Sequence, residues 1–155
     1  MAAVERRVQA DPRTPLIALL GNPNCGKTAL FNRLTGARQK VANYAGVTIE
    51  RKEGSFNSLS GRAYRVLDLP GAYSLSAHTP DEAITRDVVA GLRAGEQAPD
   101  AIVCVVNATT LRLNLRLVLE VQRLGLPMVL ALNMVDVAHK RGIKIDADKL
   151  AMELG

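Results

Sequence analysis

The sequence predicts an α/β domain built on an open, mostly parallel sheet with helices on both faces. Three observations lead there. Short apolar runs at 16–20, 101–106 and 127–132 have the length of strands buried on both faces. Segments with helical spacing alternate with them, as in chains of βαβ units. A glycine-rich loop also joins the first apolar run directly to the first helical segment. The 155 residues suffice for one domain with a sizeable core, and 48% apolar with 23% charged residues is ordinary for a globular chain.

Residues 1–15 are polar, carry two prolines and lack an apolar signal segment, so a flexible leader is expected. Leu16-Ile17-Ala18-Leu19-Leu20 reads as the first strand, ending at Gly21. From Gly26 to about Leu34 the spacing of Leu30, Phe31 and Leu34 suits a helix, stopped near Gly36. Residues 37–48 have no clear period and read as a loop. Residues 49–57 and 62–68 read as two strands joined by a turn at Ser60-Gly61, and an irregular segment follows from Leu69 to Pro80. Asp81 to Arg93 reads as a helix with Thr79 or Asp81 as N-cap. The β-branched run Ala101–Val106 is a central strand, Leu111–Leu124 a helix, Pro127–Leu132 a buried strand and Asp146–Leu154 a last helix.

Gly21-Asn22-Pro23-Asn24-Cys25-Gly26-Lys27-Thr28 matches G-x-x-x-x-G-K-[ST] at every fixed position. Placed between strand and helix, such a loop aims backbone N–H groups and a helix dipole at one point. Lys27 would meet the β and γ phosphates, the Thr28 hydroxyl would ligate Mg²⁺, and Ala29 continues the cradle. This is the signature of a P-loop NTPase, and alone it does not separate ATP from GTP.

Asn133-Met134-Val135-Asp136 follows a buried strand, at the sheet edge where ligands bind on open α/β sheets. A carboxylate at Asp136 can accept from the N1–H and 2-amino groups of guanine, which adenine does not offer together. Asn133 would support the base and the adjoining loop. Met134, where G domains usually carry Lys, can still pack an apolar chain over the base. The expected ligand is GTP or GDP.

Between these motifs, Asp68-Leu69-Pro70-Gly71 closes a strand. Asp68 would hold Mg²⁺ through a water and the Gly71 N–H would meet the γ-phosphate. Thr48, in the loop with Gly46 and Val47, is the natural second hydroxyl ligand for Mg²⁺. These two segments are expected to act as switches I and II, released when the γ-phosphate is lost. In Ras-like proteins a Gln follows the switch II glycine and orients the attacking water. Here Ala72 and Tyr73 occupy that place, so slow intrinsic hydrolysis is expected, with water held by main-chain groups or a partner.

Aromatic content of 3% with no Trp poorly supplies base-stacking surfaces, so nucleic acid is not an expected partner. The net charge of +5 comes from scattered residues and reads as a solvated surface with a slight basic surplus. Cys25 and Cys104 lie in unrelated contexts and fit a reducing compartment. A thiol beside Lys27 and a helix start could ionise easily, although a small filler is the simpler role for Cys25. His78 and His139 are too isolated to form a metal site.

Taken together, GNPNCGKTALFNRLTG, NYAGVTIERKEG, LDLPGAYSL and LNMVDVA resemble the amino-terminal G domain of the ferrous iron transport protein B (FeoB) family, over about residues 16–155. The stretch from Asn43 to Gly54 is the most specific part. The resemblance implies a GTPase domain at the cytoplasmic face of the bacterial inner membrane. Its partners would be a helical domain and a membrane permease region of the same protein that carries Fe²⁺, with small accessory transport proteins and a second copy as further candidates. It implies activation by K⁺, held by Asn24 of the P-loop in the role of an arginine finger. It also implies a chain that stops before the last strand and helix of the domain, leaving an exposed edge strand. The family usually carries Asp within the segment that reads Val106-Asn107-Ala108-Thr109 here. Two alternatives stay open: a free-standing GTPase of the ribosome-assembly or tRNA-modification type, and a nucleotide-sensing module that scarcely hydrolyses.

Overall fold

A computed structural model describes residues 14–155, and the leader expected over 1–15 lies outside the described residues up to position 13. The sheet has six strands in the order β2-β3-β4-β1-β5-β6. They are β1 (Leu16–Gly21), β2 (Gln39–Asn43), β3 (Glu50–Asn57), β4 (Ala63–Asp68), β5 (Ala101–Asn107) and β6 (Met128–Asn133). β4, β1, β5 and β6 run parallel, while β2-β3-β4 form an antiparallel meander. The helices are α1 (Lys27–Thr35), α2 (Pro80–Val89), α3 (Leu111–Gln122), α4 (Val135–Lys140) and α5 (Ala147–Leu154).

The period-two alternation of strand side chains divides the core into two layers. Leu16, Ala18 and Leu20 of β1 join Leu67, Ile102, Cys104 and Val106 on one face, packed against Ile84 and Val88 of α2 and Leu117, Val118 and Val121 of α3. Leu19 and Val66 point the other way onto Phe31 of α1. Because β1 is covered on both faces, it reads as a continuous apolar run rather than an alternating one. The glycine-rich loop after β1 and the segment after β4 leave the same end of these parallel strands, and the turn between β2 and β3 lies at that end too.

Three expectations are corrected. Residues 37–48 are not all loop, since β2 pairs antiparallel with β3 from Gln39↔Gly54 to Asn43↔Glu50. Most of its side chains are exposed, so its sequence carries no apolar alternation and its pairing rests on the main chain. The helix expected over 81–93 ends at Val89, where Gly91 takes a left-handed φ of 71° and the Leu92 N–H closes onto Asp87 O at 2.8 Å. The short helix α4 has no counterpart among the elements the sequence predicts. β2 and β6 are the two edge strands of the sheet, and Val129 of β6 is 63% exposed.

Candidate functional site

The phosphate loop is shaped by contacts that admit no side chain at its two fixed glycines. A Cβ on Gly21 would lie 2.4 Å from Cys25 Sγ and 2.8 Å from Val105 O. Gly26 sits at φ 90°, and a Cβ there would meet Asn133 Nδ2 at 2.1 Å. Asn24, at φ 64°, is the other left-handed residue of the turn. Residues 22–29, with Gly71 and Asp81, line a cavity of about 420 Å³ above the start of α1. α1 has no side-chain cap on its first N–H groups, which leaves them for a ligand.

A second cavity, of about 560 Å³, shares Lys27, Thr28, Gly71 and Asp81 with the first and adds Thr48, Asp68, Leu69 and Pro70. The Lys27 ammonium is ion-paired with Asp68, both buried. Thr28 Oγ1 lies 3.5 Å from the other Asp68 oxygen. Gly71 packs so closely on Pro23 that an added Cβ would meet its ring at 3.1 Å, and the Ala72 N–H donates to Gly21 O at 3.0 Å. Residues 68–71 thus lie beside the P-loop, and Thr48 lines the same cavity as Lys27 and Thr28. Gly46 and Val47 line neither cavity; they form the turn that presents Thr48, with Val47 N–H donating to Tyr44 O at 3.2 Å.

Asn133 ends β6 beside Asn107 of β5, and its Nδ2 donates to Cys25 O at 3.0 Å. This bond fastens the Asn133–Asp136 segment to the glycine-rich loop across 108 positions. Met134 takes a left-handed φ of 59° and turns the chain into α4, whose first residues are Val135 and Asp136. Asp136 is exposed and lies outside both cavities. Asn107 Oδ1 accepts from the Thr109 N–H at 2.9 Å and its hydroxyl at 2.7 Å.

Several residues of the site escaped the sequence reading. Glu82, 5% exposed, gathers the main chain of switch II: its carboxylate accepts from Tyr73 N–H (3.0 Å), Ser74 N–H (3.2 Å) and His78 N–H (3.2 Å). Its own N–H bonds to Thr79 Oγ1 at 3.1 Å, so Thr79-x-x-Glu82 is a capping-box pattern that could have flagged it. Asp81, which the sequence suggests only as a cap, lines both cavities. Switch I is held from behind by the segment after α2. Arg93 donates to Ala45 O at 2.8 Å and lies 5.6 Å from the Tyr44 ring centroid, while Arg51 forms two bonds, of 2.8 and 3.0 Å, with Glu96. The Tyr44 hydroxyl is buried with no hydrogen-bond partner among the described residues. Cys25 is 1% exposed, and burial pushes its thiol above the ordinary value despite the N–H and charge of Lys27. That favours the filler role over a reactive one.

Comparison with known proteins places this geometry among relatives. A sequence model of the family described as Ferrous iron transport protein B matches residues 15–155. The Fe(2+) transporter FeoB of Shigella flexneri is 46% identical over 139 residues, which are 90% of this chain and 18% of that protein. The crystal structure of the G domain of the T. maritima FeoB iron transporter superposes with a TM-score of 0.81 at 39% identity, covering 92% of this chain and 84% of that one. A mutant of S. thermophilus NFeoB bound to GDP gives 0.79 at 43% identity, covering 90% and 52%. The chain spans about a fifth of the length of the curated relatives it matches.

Proposed function

The chain belongs to the ferrous iron transport protein B family, and from that premise we propose that residues 16–155 form a G domain that binds GTP and hydrolyses it slowly. The observation that carries this reading is the meeting of Lys27, Thr28, Thr48, Asp68 and Gly71 around one cavity, with Asn133 fastened to its wall. The GDP bound in the S. thermophilus relative supports a guanine nucleotide as the ligand.

The ion pair between Lys27 and Asp68 holds both groups at the place where a triphosphate would sit. When GTP enters, Lys27 leaves Asp68 for the β and γ phosphate oxygens, and the uncapped N–H groups of the P-loop and α1 close on the same anion. Asp136 accepts from the base while Asn133 keeps the loop and the base motif in register. Gly71 and Ala72 present their main chain where other G domains use a glutamine.

The donor set fits two cations. Thr28 and Thr48 hydroxyls, with the Asp68 carboxylate behind a water, are hard oxygen ligands sharing one cavity wall and suit Mg²⁺. Asn24 is exposed on the P-loop rim, and its amide oxygen suits K⁺. Bound there, the cations would supply positive charge against the triphosphate. Among the described residues no group of three or more His, Cys, Asp or Glu is placed to hold a metal ion, and no helix is long and apolar enough to cross a membrane. In this reading Fe²⁺ passes through another part of the protein at the inner membrane, and this domain reports nucleotide state to it from the cytoplasmic side.

Calorimetric titration tests the binding step: GDP and GTP should give heat with Mg²⁺ present, and ATP none. Equal binding of ATP would refute the assignment of Asp136. Single-turnover hydrolysis should be faster in K⁺ than in Na⁺ buffer, and equal rates would refute the role of Asn24.

A further inference from the structure

Switch II is held by two carboxylates, and only one of them belongs to its own flanking helix. Glu82 of α2 gathers the amides of Tyr73, Ser74 and His78. The second is Glu120, 46 positions from Ser74 in sequence, on the last turn of α3. Both of its oxygens lie 3.0 Å from the Ser74 hydroxyl, and Oε2 accepts from the Leu75 N–H at 2.5 Å. Ser74 is 2% exposed, and its Oγ also accepts from the Ser76 N–H at 2.9 Å, so the turn closes around this one contact.

The same helix touches the phosphate loop. Asn22 Nδ2 reaches Leu113 O at 3.4 Å, and Asn114 accepts from the Asn107 N–H at 3.2 Å. Leu113 and Glu120 are seven residues apart, two turns along one side of α3. One stiff element therefore contacts the P-loop near its start and switch II near its end, with Gly71 and Ala72 suspended between them.

Resting on the GTPase reading above, we propose that Glu120 is a positioning residue for hydrolysis. Through Ser74 and Leu75 it fixes the switch II main chain, so that Gly71 and Ala72 face the terminal phosphate in a chain with no glutamine at that place. The charge state suits this task. Partial burial opposes ionisation of Glu120, but the Leu75 N–H, the Ser74 hydroxyl and Arg116, whose Nε lies 3.3 Å from Oε1, outweigh it and hold the carboxyl below the ordinary glutamate value. The carboxylate is therefore fully available as an acceptor near neutral pH.

The test uses Glu120→Ala, Glu120→Gln and Ser74→Ala in the whole chain with Mg²⁺ and K⁺. Glu120→Ala should lower the single-turnover GTP hydrolysis rate by about 10- to 100-fold, the scale expected when a reacting group is misplaced by about an ångström. KM for GTP and the Kd for GDP should stay within about twofold of wild type. Amide exchange at Leu75 should speed up. Glu120→Gln keeps one acceptor oxygen and should recover most of the rate, while Ser74→Ala should fall between. A hydrolysis rate for Glu120→Ala within twofold of wild type overturns the proposal. So does a parallel loss of GDP affinity, which would mark a merely structural residue, or a Glu120→Gln as slow as the alanine. A wild-type chain that binds no GTP overturns the GTPase reading itself and is recognised by calorimetry before any variant is compared.

Discussion

Replacing Gly26 with alanine measures the joint between the phosphate loop and the base motif. The new methyl would stand 2.1 Å from Asn133 Nδ2, the atom that donates to Cys25 O at 3.0 Å. No contact that short persists, so the amide swings away and its hydrogen bond is lost. An L residue held at φ 90° costs about 1–2 kcal/mol in backbone strain. The lost bond adds about 1 kcal/mol. Gly26→Ala should therefore destabilise the chain by about 2–3 kcal/mol, lowering the thermal midpoint by roughly 4–12 °C for a domain of this size. Asn133→Ala should cost about 1 kcal/mol, the bond alone. In the double variant there is one bond to lose rather than two, so its total should fall about 1 kcal/mol short of the sum. Urea unfolding followed by far-ultraviolet circular dichroism, without nucleotide and at constant m, reads all three values. If the two single effects add within about 0.5 kcal/mol, the close approach of Gly26 and Asn133 is not what constrains position 26.

Asp136→Asn should weaken GTP by roughly 100-fold, about 3 kcal/mol, because a charged acceptor facing two donors is replaced by a group that can accept from only one; titration with GTP and with xanthosine triphosphate should show the preference moving toward xanthine. Tyr44→Phe removes a buried hydroxyl that has no partner among the described residues, so stability should hold or rise by about 1 kcal/mol in a thermal-shift assay. Burial pushes the Cys104 thiol up to about 12, with Cys25 nearby adding slightly. Thiols of the unfolded chain ionise from their ordinary value near 9.0 while Cys104 keeps its proton. The unfolded state then binds fewer protons, and stability is lost as pH rises through that window, by at most about 1.4 kcal/mol per pH unit. Cys104→Ala should remove this part of the alkaline decline in unfolding curves taken between pH 9 and pH 11. Asn24→Ala should abolish the difference between K⁺ and Na⁺ in hydrolysis while leaving the GDP Kd within a few-fold, measured by phosphate release and calorimetry.

What could be read beforehand follows the range over which each residue acts. Gly21, Gly26, Lys27 and Thr28 announce themselves because the chemistry of a phosphate fixes both residue type and spacing over eight positions. β1 and β5 announce themselves because burial on both faces leaves an uninterrupted apolar run. β2 does not: QKVAN pairs through its backbone on the sheet edge and carries no pattern a strand must have. α4 is too short to show a period. Glu82 left a partial trace as the fourth residue of a capping box, but three of its four bonds in that turn reach outside the box. Glu120 left none, since an acid on a polar helix side looks the same whether it faces water or an N–H 45 positions away. Arg93 and Glu96 were hidden for the same reason.

The placement of α2 gives the segments 73–78 and 45–51 a common support. Glu82 in its first turn grips residues 73–78, and just past its end Arg93 and Glu96 grip Ala45 and Arg51. Ten residues of helix make a rod about 15 Å long. Residues 73–78 and 45–51 are therefore anchored to the two ends of one segment, and neither anchor is independent of the placement of α2.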